Sequence, residues 1–226
     1  MLKAVIFDFD GVITDSEILH LRAFNEILSQ YGIKITTKDY YKIYLGLTDV
    51  ECYKLLIRDG RLNIGEEDIE SLIDEKQEIF EKLAIDEGQT IEGVRDFLTM
   101  LEQNNVPMAI CSGALLSEIE LILEEASLRS LFEVIVSADQ VTKGKPNPEG
   151  FILTLRRLNQ SLQTPITPEQ CIVIEDSLWG LEAAKAAGMH TIGVTNSYEA
   201  EQLRMAEKIV GHLDELSMGD LQQLCG

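Results

Sequence analysis

Short runs rich in valine and isoleucine, each trailed by a helical pattern, recur along this chain: KAVIFDFD near the start, then VPMAICSG, FEVIVSAD, QCIVIEDS, HTIGVTN and KIVGHL. Strands that alternate with helices pair in parallel, and a parallel sheet must be covered on both faces. Helical spacing falls between them at Gly93 to Asn104, Ser117 to Ser127, Pro148 to Asn159 and Gly180 to Ala187, the last stopped by Gly188. The expected fold is α/β, a doubly wound parallel sheet of Rossmann-like type.

One connection breaks the rhythm. The first strand ends near Asp10 and the second does not begin until about Val106, far beyond an ordinary crossover. The intervening segment reads as helices. SEILHLRAFNEILSQYG sets Leu21, Phe24, Leu28 and Tyr31 on one face, and EEDIESLIDEKQEIFEKL follows. We expect an inserted α-helical domain at 16–83 and an α/β core made of 1–15 and 84–226. Hinges are expected in VITDSE and AIDEGQTIEG, where polar residues and glycines collect. With 226 residues, 45% of them hydrophobic, both units can bury a core.

No stretch reaches the roughly 18 apolar residues of a membrane span, and the N-terminal run carries Asp8 and Asp10, so neither anchor nor signal peptide is expected. Cys52, Cys111, Cys171 and Cys225 are scattered, which suits a reduced, cytoplasmic protein and not a zinc site. A net charge of −20 argues against nucleic acid and anionic membranes as partners. An anionic substrate would have to be drawn in by local cations or a bound metal.

Ligands of open parallel sheets bind beyond the carboxyl ends of the strands. Four of those tips are unusually polar here: Asp8 and Asp10 at the first, Ser112 and Gly113 at the second, Lys145 in the loop after the third, Glu175 and Asp176 at the fourth. Strand alternation puts Asp8 and Asp10 on one side and turns Phe9 into the core. Crowding four acids is costly unless a hard cation neutralises them, and Mg²⁺ prefers oxygen ligands. With Mg²⁺ and Lys145 alongside, Asp8 can attack a phosphate as nucleophile, while Asp10 serves as acid to the leaving alcohol and base to the hydrolytic water.

Each piece has a plainer reading by itself. Asp-x-Asp-Gly is ordinary turn chemistry, Ser112 and Gly113 can cap a helix, GKPNP can be a proline-fixed turn, and Glu175 to Ser177 can be N-cap material. Their joint placement at four strand exits favours a single metal-phosphate site.

Taken together, DFDGVITDSE, the serine after MAIC, KGKPNP and IEDSLWGLEAAKAAGM resemble the haloacid dehalogenase superfamily over nearly the whole chain. The resemblance is to its phosphatases with a helical cap, close to the β-phosphoglucomutase-like group. It implies Asp8 as nucleophile and Asp10 as acid/base that also offers its backbone carbonyl to Mg²⁺. Asp176 is implied as the second metal carboxylate, with Glu175 assisting. Ser112 and the N–H of Gly113 would hold the phosphoryl group, and Lys145 would pair with it and with Asp8. In the cap, the resemblance places a hinge-side histidine at His20, a specificity loop at Gly46 and a substrate-contacting lysine at Lys76. An inert core-edge histidine and a solvated lysine remain the plain alternatives there.

A phosphomutase of this group would want an arginine in GLTDVE and Ser-Lys-Asn beyond Ser112, where this chain has Asp49 and Ala114, Leu115, Leu116. Dehalogenase chemistry would leave Asp10, Glu175 and Asp176 unexplained. The expectation is a Mg²⁺-dependent phosphatase acting on a small phosphorylated metabolite such as a sugar phosphate, with a phosphomutase as runner-up. Specificity is expected in Leu45, Leu47, Thr48 and Tyr53, and the protein is expected to be a monomer.

Overall fold

The computed structural model describes residues 1–87 and 90–226. In chain order the elements are β1 (Ala4–Phe7), α1 (Glu17–Ser29), α2 (Thr37–Asp39), a π-helical turn (Tyr40–Tyr44), α3 (Asp49–Arg58), α4 (Ile69–Glu87), α5 (Val94–Gln103), β2 (Met108–Cys111), α6 (Leu116–Glu125), β3 (Val134–Val136), α7 (Glu149–Ser161), β4 (Cys171–Glu175), α8 (Leu178–Ala186), β5 (His190–Val194), β6 (Lys208–Val210) and α9 (Met218–Leu224). The chain divides into two units, Met1–Asp15 with Gln89–Gly226, and Ser16–Gly88.

The first unit is α/β. Its six strands are all parallel in the order β3-β2-β1-β4-β5-β6, the doubly wound arrangement in which strand order reverses beside β1. A strand covered on both faces has no polar side, and AVIF, MAIC, VIV and CIVIE are buried at every position. The six runs expected as strands are the six strands observed.

The second unit is helical. Leu21, Phe24 and Leu28 of α1 join Tyr53, Leu56 and Leu72 in its core, as the stripe requires. Tyr31 does not: α1 ends at Ser29, Gly32 turns the chain at φ +69°, and Tyr31 is left 40% exposed. Thr48 opens α3 with a reciprocal capping box, its hydroxyl accepting from Glu51 N–H while the Glu51 carboxylate accepts from Thr48 N–H. The boundary expected after Leu83 falls inside α4, which continues to Glu87. Of the expected exit hinge, residues 88 and 89 lie outside the described residues. No described helix is long and apolar enough to cross a membrane.

Candidate active site

At the carboxyl end of β1, Asp8 extends the ladder by donating its N–H to the Ile174 carbonyl at 2.9 Å. Phe9 is 1% exposed, buried as alternation requires. The chain then doubles back: Gly11 takes φ +77° and donates its N–H to Thr14 O at 2.7 Å. A Cβ at Gly11 would stand 1.9 Å from Asp176 Oδ2, so the turn has room for the second acid only because it is glycine.

Glu175 closes β4 with no exposed surface, and Asp176 follows at 4%. Ser177 then caps α8, its hydroxyl accepting from Gly180 N–H at 3.1 Å, so that part of the N-cap reading holds. Glu175 Oε2 accepts from both the N–H and the hydroxyl of Ser177, at 3.0 and 2.8 Å. A Cβ on Gly180 would lie 1.7 Å from Glu175 Oε1. Sequence reasoning passed over that glycine, although its small size is what seats the carboxylate.

Carboxylate oxygens of Asp8, Glu175 and Asp176 lie within 4.8 Å of one another, all three buried. Asp10 is not a member of this cluster, so three of the four expected acids converge. Lys145, delivered by the loop before α7, joins them. Its ammonium donates to Asp8 Oδ1 at 2.7 Å and to Glu175 Oε1 at 2.5 Å. Burial pulls the Lys145 pKa down, but the Asp8 and Glu175 carboxylates outweigh it and hold the pKa above the ordinary lysine value. Burial, then Asp8, raises Glu175 against the pull of Lys145. Burial, then Glu175 and Asp8, push Asp176 up to about 8, opposed by a hydrogen bond from Ser197, a contributor with no signal in the sequence.

Ser112 sits at the tip of β2, 7% exposed, its N–H on Val136 O. Ser112 lies three residues before the N-cap of α6 at Leu115, and its hydroxyl accepts from Ala114 N–H at 3.1 Å, so it forms a local turn and is not the helix cap. Gly113 is exposed, with nothing within 4 Å of where a Cβ would stand.

A family model for haloacid dehalogenase-like hydrolases matches residues 5–194. The chain belongs to that family. It is 33% identical over 198 residues to the phosphorylated carbohydrates phosphatase of Thermotoga maritima, covering 87% of each chain. Among solved structures, CbbY from Rhodobacter sphaeroides in complex with phosphate superposes with a TM-score of 0.85 at 26% identity, over 98% of this chain and 100% of that one. β-Phosphoglucomutase from Clostridium difficile gives 0.80 at 26%, over 100% and 97%. The chain is a phosphoric monoester hydrolase of this family.

The cap residues of this hydrolase form their own cluster. Lys76 is 1% exposed, not solvated. Its ammonium lies 3.0 Å from Asp49 Oδ2 and 2.7 Å from His20 Nδ1, over the rings of Phe24 and Phe80 at 5.1 and 5.4 Å. His20 stacks on Phe80 with centroids 4.1 Å apart. Burial, then the Lys76 charge, pull the His20 pKa well below its ordinary value. Gly46 turns the chain into the loop before α3 at φ +81°. Tyr53, expected among the specificity residues, is fully buried with its hydroxyl on Leu72 O at 3.3 Å, and Thr48 is occupied as a helix cap.

Proposed function

We propose that this hydrolase removes phosphate from a small sugar monophosphate through a covalent phosphoryl group on Asp8. The observation that carries the reading is the contact of Lys145 with Asp8 and Glu175 beside Asp176, at the strand ends where α/β ligands bind. Three buried acids against one ammonium form an all-oxygen donor set whose ionised forms burial and mutual repulsion disfavour, a penalty that Mg²⁺ would relieve. Asp8 and Asp176 would hold the ion by their carboxylates and Asp10 by its backbone carbonyl. Both oxygens of Glu175 are engaged by Lys145 and Ser177, which suits a supporting role. When bound, the metal supplies the positive charge that lets a phosphate dianion approach these acids.

An Asp8 oxygen attacks phosphorus as the bond to the leaving oxygen breaks, and Asp10 gives that oxygen its proton. Ser112 and the N–H of Gly113 hold the phosphoryl oxygens, with Lys145 balancing their charge. Asp10, now a carboxylate, takes a proton from the water that attacks phosphorus, and the acyl phosphate cleaves to restore Asp8.

Water is taken as the acceptor in preference to a second sugar phosphate because Asp49, Ala114, Leu115 and Leu116 stand where a mutase of this group would want cationic and polar residues. That disfavours the phosphomutase reading despite the likeness to β-phosphoglucomutase. The sugar class is supported by the phosphorylated carbohydrates phosphatase among its relatives. In the cap, Gly46 shapes the specificity loop, and His20 with Lys76 holds the cap interior together. Four free thiols suit the cytoplasm, and we take the chain to act as a monomer. The test is phosphate release from a panel of sugar monophosphates: release with Mg²⁺ and none with excess chelator is expected, and undiminished release in chelator overturns the reading.

A further inference from the structure

The chain has one tryptophan, and the fold leaves it in the open. Trp179 is 48% exposed and its neighbour Leu178 42%, although both sit in the first turn of α8, directly after the buried acids Glu175 and Asp176. Trp179 meets Tyr198 edge to face, with ring centroids 6.0 Å apart and planes at 80°. Tyr198 in turn follows Ser197, whose hydroxyl bonds Asp176. The two rings therefore join the loops after β4 and β5, the same loops that fix the Asp176 side of the acid cluster.

An exposed tryptophan forgoes the burial that usually accounts for so large an apolar side chain. Trp179 keeps nearly half of its surface exposed despite that contact, on the helix that begins just after the buried acids. Aromatic ring faces carry partial negative charge and pack against C–H groups made electropositive by neighbouring oxygens, which one face of a sugar ring supplies. Binding pockets for small ligands combine apolar and aromatic walls with a few placed polar groups, and the α/β unit supplies both kinds at adjoining positions.

We propose, on the phosphatase reading above, that Trp179 and Tyr198 form the platform on which the carbohydrate portion of the substrate packs by its C–H face. Phosphate is gripped by Ser112, Gly113 and Lys145; the aromatic pair selects what is attached to it. They are specificity residues and take no part in bond making.

Because Trp179 is the only tryptophan, its emission reports on this surface alone. In the Asp8→Asn variant, which holds substrate without turnover, titration with glucose 6-phosphate or fructose 1-phosphate should give a saturable change in emission, and inorganic phosphate should give none. In the otherwise native enzyme, Trp179→Ala and Tyr198→Ala should raise KM for the preferred sugar phosphate about 3- to 10-fold. Turnover of acetyl phosphate, which has no ring, should stay within about twofold, and Trp179→Phe should recover most of the loss. Hydrolysis of acetyl phosphate with an unaltered sugar-phosphate KM in Trp179→Ala overturns the platform and leaves the phosphatase reading standing. Failure to hydrolyse either compound overturns both. Emission that changes with protein concentration and not with sugar phosphate overturns the platform in favour of a surface between copies of the chain.

Discussion

Lys76 Nζ and Asp49 Oδ2 lie 3.0 Å apart inside the helical unit, joining α4 to the first residue of α3, with the lysine side chain 1% exposed and the aspartate 27%. An acid where a mutase-like cap would want an arginine looks, in the sequence, like a repulsive charge. In the fold it is a counter-ion: it neutralises the cap's buried ammonium.

Asp49→Asn should therefore destabilise the protein, because it strands a buried ammonium. Breaking a buried pair costs about 3 to 5 kcal/mol, and the partial exposure of Asp49 puts the expected loss near the low end. Lys76→Met added to Asp49→Asn should recover most of it. Urea unfolding of the three proteins measures both, and a double variant less stable than Asp49→Asn would mean the pair is not what couples these positions.

His20 sets an acid limit on stability. Its pKa in the fold lies well below the ordinary 6.5, through burial first and Lys76 second. Between those two values the unfolded chain binds a proton that the folded chain excludes, so stability is full above about pH 6.5 and falls as pH drops below it. His20→Gln should flatten that slope by up to about one proton. Unfolding free energies at about pH 5 and about pH 7.5 decide the matter, and equal slopes in the two proteins would contradict it.

The sheet and its tips were legible because both signals are local. A strand covered on both faces has to be apolar throughout, as in CIVIE, and the acids that end such runs stand out against them. The cap was legible only as a stripe. A helical wheel says that Leu21, Phe24 and Leu28 turn inward, but not that Lys76 of α4 finds Asp49, 27 residues earlier in the chain, and His20, 56 earlier. The environment of Tyr53 was hidden for the same reason: nothing in its place on α3 tells that its ring joins the cap core and its hydroxyl reaches Leu72 O. Gly180 was invisible because its role is to leave space.

That space has a kinetic consequence. Gly180→Ala would put a methyl 1.7 Å from the present position of Glu175 Oε1, so the carboxylate must move and take Lys145 with it. Misplacing a catalytic group by an ångström costs about 100-fold in rate, and kcat should fall by that order, while crowding the closed interior should cost about 1 to 3 kcal/mol of stability. Unchanged kcat would show that Lys145 does not depend on Glu175 for its position.

Hydrolysis should outrun transfer to sugar. With Asp49 in the cap loop and Ala114, Leu115 and Leu116 after Gly113, where a mutase of this group would want cationic and polar residues, β-glucose 1-phosphate supplied with a bisphosphate activator should yield inorganic phosphate or nothing, and little glucose 6-phosphate. Interconversion of the two glucose phosphates faster than phosphate release would reveal a second phosphate grip and reverse this assignment.

The covalent role of Asp8 is tested most directly by acid-quenching the enzyme during turnover of its preferred sugar phosphate with Mg²⁺ and mapping the phosphorylated residue by peptide mass spectrometry. Phosphate on Asp8 in the native protein, and neither label nor turnover in a folded Asp8→Asn variant, is the predicted result. Turnover by Asp8→Asn above a trace, or label on any other residue, would contradict it.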